Sequence, residues 1–514
     1  MQQSILRVWA ISLACLFLWQ CSPKEVTPSL IPADVSAVAV LDMKRMSSKA
    51  IEWKDMLSSD FWSNMIGSGN NADLLGKMLN GGLDYTKEVY AFGKVGKNIK
   101  ESYTALAFTI KEVKQFEKTL KADNEFIEIK KDGGNRYTFF YSNLIVMWHK
   151  QKALLVFAPQ LDQKKLRGLA HDILKTTKSE GLENQNENFR SALQQDADIT
   201  TWVDYKNLPE TALEQLENIG FDLPTQFKPF LKVIEQVTLH TNFEQGEIKT
   251  NIKTFCAKDA LQVYEKLLKG AINPEVAKDI PIENPALLLS VGVGTQGLEG
   301  LLGNSTLISG LKILLKMSGT SLEDIFKLYT GDVVLAIDNP KLSAHLNEQE
   351  IIIGVGSNNA KEVLKLITSF DGFLRIKNKK DYYVLDLEEF KLGEWFMLSR
   401  GNNLYFTTSE KLKQNFLDNN IKLQTQTTQL FNGKVAVLEL DYGAMLKNLP
   451  ELTRNTHEMR EKITNTIDRF QSTAKPWSNN VWEGESTLKM KDKNRNSLAV
   501  LFEMLRQMKP TIAE

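Results

Sequence analysis

Gly292-Val293-Gly294-Thr295-Gln296-Gly297 is a G-x-G-x-x-G that follows a strand-like run and precedes an apolar stretch. In a dinucleotide-binding unit such glycines let the backbone approach a pyrophosphate, and an acidic residue about 20 positions on holds the ribose. Met317-Ser318-Gly319-Thr320 stands at that distance instead, so the motif reads as a turn and no cofactor is expected. Carboxylates offer a second chemistry. Asp204 and Asp441 end strand-like runs at matching places, and Glu210 and Glu451 follow them in Asn207-Leu208-Pro209-Glu210 and Asn448-Leu449-Pro450-Glu451. Two carboxyl groups meeting across a cleft could hydrolyse a glycosidic bond. Matching copies also suit a plainer task, capping a turn or a helix start. That is the reading adopted, no catalytic residue is assigned, and the chain leans away from being an enzyme.

The remaining reactive residues are scattered. His149, His171, His240, His345 and His457 form no H-x-H or H-x-x-x-H pair, so no metal site is expected. Cys256, in Ile252-Lys253-Thr254-Phe255-Cys256, has no second thiol in the body of the chain to pair with, and reads as a small core residue. Trp53, Phe61 and Trp62 near the start, and Trp477 and Trp482 near the end, read as core aromatics, with a face for a protein or sugar partner as the alternative.

The elements that would carry these residues follow from bulk properties first. A chain of 514 residues exceeds one hydrophobic core, and 42% apolar with 25% charged residues is the composition of a folded protein. Lys+Arg and Asp+Glu both number 63, which argues against a nucleic-acid partner, whose phosphates demand a positive excess. The start, Met1 to Arg7 followed by an apolar run from Val8 to Trp19, is too short to span a bilayer and reads as a signal peptide over 1–20. Leu18-Trp19-Gln20-Cys21 resembles a bacterial lipobox, with Cys21 the lipidated residue; Gln20 departs from the usual small residue there. Residues 21–30, with Pro23 and Pro28, read as a tether. Membrane attachment is therefore expected through a lipid on Cys21.

The body repeats itself. Ala37–Leu41 is answered by Leu287–Val291, Glu88–Phe92 by Asp332–Ala336, Ala105–Phe108 by Ile351–Val355 and Phe126–Lys130 by Phe373–Lys377. Tyr137–Phe140 is answered by Tyr382–Leu385, Leu144–Trp148 by Glu394–Leu398, Leu154–Phe157 by Leu404–Thr407, and Asp204-Tyr205 by Asp441-Tyr442. Collinear order of this kind predicts two tandem units, 31–272 and 273–514. Short strands rich in β-branched and aromatic residues, with turn residues such as Asp132-Gly133-Gly134-Asn135 between them, predict hairpins. Ala260, Leu261, Tyr264, Leu267 and Leu268 share one helical face, as do Leu498, Leu501, Phe502 and Leu505, so each half should close with a helix. The fold class is α+β: two similar tandem halves, each a mainly antiparallel sheet with helices packed on one side.

The lipobox, the tether, the opening Ile31-Pro32-Ala33-Asp34-Val35-Ser36-Ala37-Val38 and the mid-chain Thr330-Gly331-Asp332-Val333-Val334 together resemble the large lipoproteins of Bacteroidota grouped as domain of unknown function 4836. The resemblance extends over nearly the whole mature chain. It implies an outer-membrane or periplasmic setting and carries over no catalytic residue. The function expected is that of an envelope-anchored lipoprotein with a non-catalytic binding or scaffolding role for a protein or glycan partner. The alternative is a glycan hydrolase with a carboxylate pair in a cleft between the halves.

Overall fold

The computed structural model describes residues 28–50, 82, 84–121, 128–209, 233–258, 260, 268, 270–294, 321, 324, 327–340, 349–369, 375–387, 393–447 and 454–507. The chain divides into two compact units: Met1–Leu223 with Ile234–Phe255 and Asp492–Glu514, and Pro224–Val233 with Cys256–Lys491.

The first unit holds strands β1 (Ala37–Leu41), β2 (Val89–Lys94), β3 (Tyr103–Thr109), β4 (Lys130–Asp132), β5 (Asn135–Tyr141), β6 (Leu144–His149), β7 (Lys152–Phe157), β8 (Ile199–Asp204), β9 (Ile234–Glu244) and β10 (Glu247–Cys256). Their order across the sheet is 4-5-6-7-3-2-1-8-9-10. The pairings from β4 to β9 are antiparallel. Gly133, at φ +58°, makes the β4–β5 turn, a left-handed conformation that glycine adopts without a Cβ clash.

The second unit holds β11 (Leu287–Gly292), β12 (Tyr329–Ile337), β13 (Ile351–Ser357), β14 (Arg375–Asn378), β15 (Tyr383–Asp386), β16 (Glu394–Arg400), β17 (Asn403–Thr407), β18 (Ala436–Asp441), β19 (Ile467–Ala474) and β20 (Val481–Met490). Their order, 14-15-16-17-13-12-11-18-19-20, is the same path with each strand moved on by ten, and every pairing is antiparallel.

Both sheets are covered on two faces, where the sequence pointed to one. In the first unit Val38, Val40, Tyr90, Phe92, Ala107, Met147 and Leu154 pack with Leu166, Ala170 and Ile173 of α1 (Gln163–Lys175). The alternate residues Leu41, Val89, Leu106, Phe108, Val146 and Trp148 pack with Met43 and Met46 of the helix Met43–Lys49, and with Phe116 and Leu120 of the helix Val113–Lys121. In the second unit α2 (Glu410–Asp418) adds Leu412 and Phe416 to one face, and the helix Ala360–Thr368 lays Leu364 and Ile367 on the other. The physical reason lies in strands such as Ala37–Leu41 and Leu144–His149, apolar at nearly every position, which have two sides to remove from water.

The helix Ser497–Gln507 supplies Leu498 and Phe502 to the core of the first unit, beside Met43, Phe116 and Phe243. It therefore closes the unit opposite to the one that its place in the sequence suggested.

Candidate functional site

In the first unit a cavity of about 380 Å³ lies where the end of β2, the start of β3 and α1 converge. That is at the small end of the range for small-molecule sites, roughly 300–1,000 Å³. Asp162 starts α1 by accepting a hydrogen bond from the Lys165 N–H at 2.9 Å, and the helix turns Leu169, Asp172, Ile173 and Thr176 toward the cavity. Opposite, the turn from β2 to β3 is fixed by Asn98, which accepts from the Lys100 N–H at 3.0 Å, and by Ser102, whose hydroxyl accepts from Gly96 N–H at 3.0 Å. This turn brings Lys100, Glu101, Ser102 and Tyr103 to the rim and floor.

Charges of both signs stand at the rim. Lys94 Nζ binds Asp34 Oδ2 at 2.5 Å, and Asn98 Nδ2 donates to Glu101 at 2.5 Å. Tyr103 is 7% exposed, and no described residue hydrogen-bonds its hydroxyl. Burial, with the Asp34 carboxylate nearby, raises its pKa above the usual phenol range, so it stands protonated as a donor.

The matching corner of the second unit is built differently. Lys94 pairs with Tyr103 across β2 and β3; the same register in the second unit joins Asp338 and Glu350, whose backbone N–H and carbonyl meet at 2.9 Å. Lys411, in the first turn of α2, sends its ammonium between them, 2.7 Å from Asp338 and 2.8 Å from Glu350. An ion-pair cluster stands at this corner of the second unit.

The strand-end aspartates act on their own backbones. Asp204 accepts from the Asn207 N–H at 3.3 Å and from Asn207 Nδ2 at 2.7 Å. Asp441 accepts from the Ala444 N–H at 2.8 Å, and its other oxygen from Arg469 at 3.3 Å. Both hold the N–H three residues on, at the equivalent end of β8 and β18. Gly292 ends β11 as a ladder residue, its N–H donating to the Val435 carbonyl. Cys256 is buried and in no disulfide. His149 contacts the Gly134 carbonyl at 3.0 Å, and His171 lies 3.8 Å from Asp172. His240 is buried, its Nε2 3.1 Å from the Ala192 carbonyl, and burial lowers its pKa, which keeps the ring neutral. Among the described residues no three His, Cys, Asp or Glu side chains gather as a metal site would require. Trp477 and Trp482 are half-buried, and the Trp482 indole donates to the Lys475 carbonyl at 2.9 Å. Cys21, Trp53, Phe61, Trp62, Glu210, Thr295–Gly297, His345 and Glu451 lie outside the described residues.

Three buried carboxylates among the described residues escaped the sequence reading; Asp332, fully buried, accepts from the Asn273 N–H at 2.8 Å and from the Thr330 hydroxyl at 2.7 Å. Asp198 is fully buried and takes Lys49 Nζ at 2.6 Å, Arg45 Nε at 3.3 Å and the Phe243 N–H at 2.6 Å. The signal that could have found it is the Arg45–Lys49 spacing, which puts two cations on one helical face. Glu439, 1% exposed in the middle of β18, takes Arg469 at 2.5 Å and Gln471 at 3.1 Å. Alternation along Ala436–Asp441 gave no hint that this polar position faces inward.

The model of the domain of unknown function DUF4836 matches residues 28–498. The chain belongs to that family. The match takes in both units, so DUF4836 as represented here includes both ten-stranded sheets. No curated protein matches this DUF4836 chain. Among solved structures, crystal forms I and III of TP0453 are similar at 10% identity with TM-scores of 0.28 and 0.30, covering 45% and 49% of this chain and 80% and 91% of theirs. A likeness of that size supports no argument about DUF4836. No helix among the described residues is long and apolar enough to cross a membrane.

Proposed function

We propose that the protein is an envelope lipoprotein, attached through a lipid on Cys21, with a non-catalytic binding or scaffolding role toward a protein or glycan partner. The observation that carries the non-catalytic reading is that Asp204 and Asp441, which a glycan hydrolase would use, each hold a backbone N–H of their own turn. An oxygen so engaged is fixed in place by the fold and draws its stabilisation from it. Anchoring is supported by the lipobox-like Leu18-Trp19-Gln20-Cys21 and the short apolar run before it.

Fractionation tests the anchor: wild type should sediment with envelopes and Cys21→Ala should not, and equal partition of the two would refute it. Incubation of the mature chain with insoluble envelope polysaccharide tests the role. Reducing ends should not rise above background; a rise that Asp204→Asn or Asp441→Asn abolishes would replace this reading with the hydrolase.

A further inference from the structure

We propose that the cavity of the first unit is a small-molecule site for an uncharged, largely apolar ligand carrying one hydrogen-bonding oxygen, seated on Tyr103. This goes beyond the envelope role, which concerns macromolecular partners, and does not depend on it. Leu161, Leu169 and Ile173 form the apolar wall, and Tyr103 is the buried polar group at its foot. The Tyr103 side chain is nine-tenths buried while its hydroxyl lines the cavity with no partner among the described residues, so it is a donor that a ligand oxygen can take.

The rim determines the charge of the ligand. Charges of both signs stand at the mouth: Asp34 is committed to Lys94 at 2.5 Å, and Lys94 and Lys100 would repel a cation. An anion at Tyr103 would face Asp34 and Asp172. A neutral ligand avoids both conflicts.

The test uses four probes with one ring system: 1-naphthol, naphthalene, 1-naphthoate and 1-naphthylmethylammonium, titrated into the mature chain by calorimetry. 1-Naphthol should bind at one site and more tightly than the other three. Tyr103→Phe, which removes only the hydroxyl, should weaken 1-naphthol by roughly threefold to tenfold and erase its advantage over naphthalene. Leu169→Trp should fill the cavity and abolish binding. Absence of 1-naphthol binding, equal or tighter binding of either charged probe, or an affinity unchanged in Tyr103→Phe would each overturn the proposal. Should Leu169→Trp fail to fold, the ratio of 1-naphthol to naphthalene in Tyr103→Phe decides alone.

Discussion

Asp198→Ala should cost about 3 kcal/mol of folding stability, at the low end of the range for breaking a buried ion pair. Three donors converge on this carboxylate: Lys49 Nζ, Arg45 Nε and the Phe243 N–H. After the substitution they fare differently. The side chains of Lys49 and Arg45 are 23% and 34% exposed, so both can turn toward water and recover part of what they lose. The Phe243 N–H belongs to a residue that is 1% exposed and cannot. Most of the loss therefore comes from one buried donor left without an acceptor, and from loosening of the helix Met43–Lys49, whose Arg45 and Lys49 it ties to the strand region at β8 and β9. Asp198→Asn keeps an acceptor oxygen and should lose less than Asp198→Ala. Urea denaturation followed by tryptophan fluorescence checks both. An Asp198→Ala midpoint indistinguishable from wild type would show that the cluster contributes nothing.

The sequence disclosed the strands better than it disclosed their surroundings. Pairing places Val38 between Phe92 and Trp202, and Leu288 between Ala336 and Glu439. Matching Ala37–Leu41 with Leu287–Val291, Glu88–Phe92 with Asp332–Ala336 and Asp204 with Asp441 therefore agrees with their places in the two sheets. Leu154 is matched to Leu404 by the letters, yet the register sets Ala153 opposite Phe108 and Leu404 opposite Val355, the counterpart of Phe108. The counterpart of Leu404 is thus Ala153, one residue away. A slip of one residue turns every side chain to the other face, and only alternation between apolar and polar residues reveals it. Lys152–Phe157 is apolar on both faces, so that signal was missing, and the same lack hid the second helical layer.

Shared strand order does not mean shared packing. Ala37, Ala39 and Ala91 on one face of the first sheet correspond to Leu287, Leu289 and Leu335 in the second, where Leu289 is 39% exposed. The cavity was beyond reach of the letters for a related reason. It is formed by residues from β2, β3 and α1 that are distant in sequence, and no spacing along the chain indicates that Tyr103 would find no partner among the described residues.

The position of Glu439 leads to the second large effect. Its counterpart in the first unit is Trp202, 1% exposed and packed edge-on to Phe189 at 5.6 Å. The same point in the same sheet thus accepts an apolar side chain in one unit and an ion pair in the other. A buried ion pair often adds little over an apolar substitute, while removing one partner leaves a charge that the interior cannot solvate. Arg469→Met should therefore lower stability by about 3–5 kcal/mol, because it strips Glu439 of its counter-ion; Asp441, being 26% exposed, can turn to water. Adding Glu439→Leu should return most of that loss, with a coupling of about 2 kcal/mol or more in a double-mutant cycle by chemical denaturation. Additive losses would mean that Glu439 and Arg469 act separately, and that the strand needs each for a different contact. Recovery in the double variant would mean that the ion pair is an alternative filling of a position that the fold itself leaves open to apolar residues.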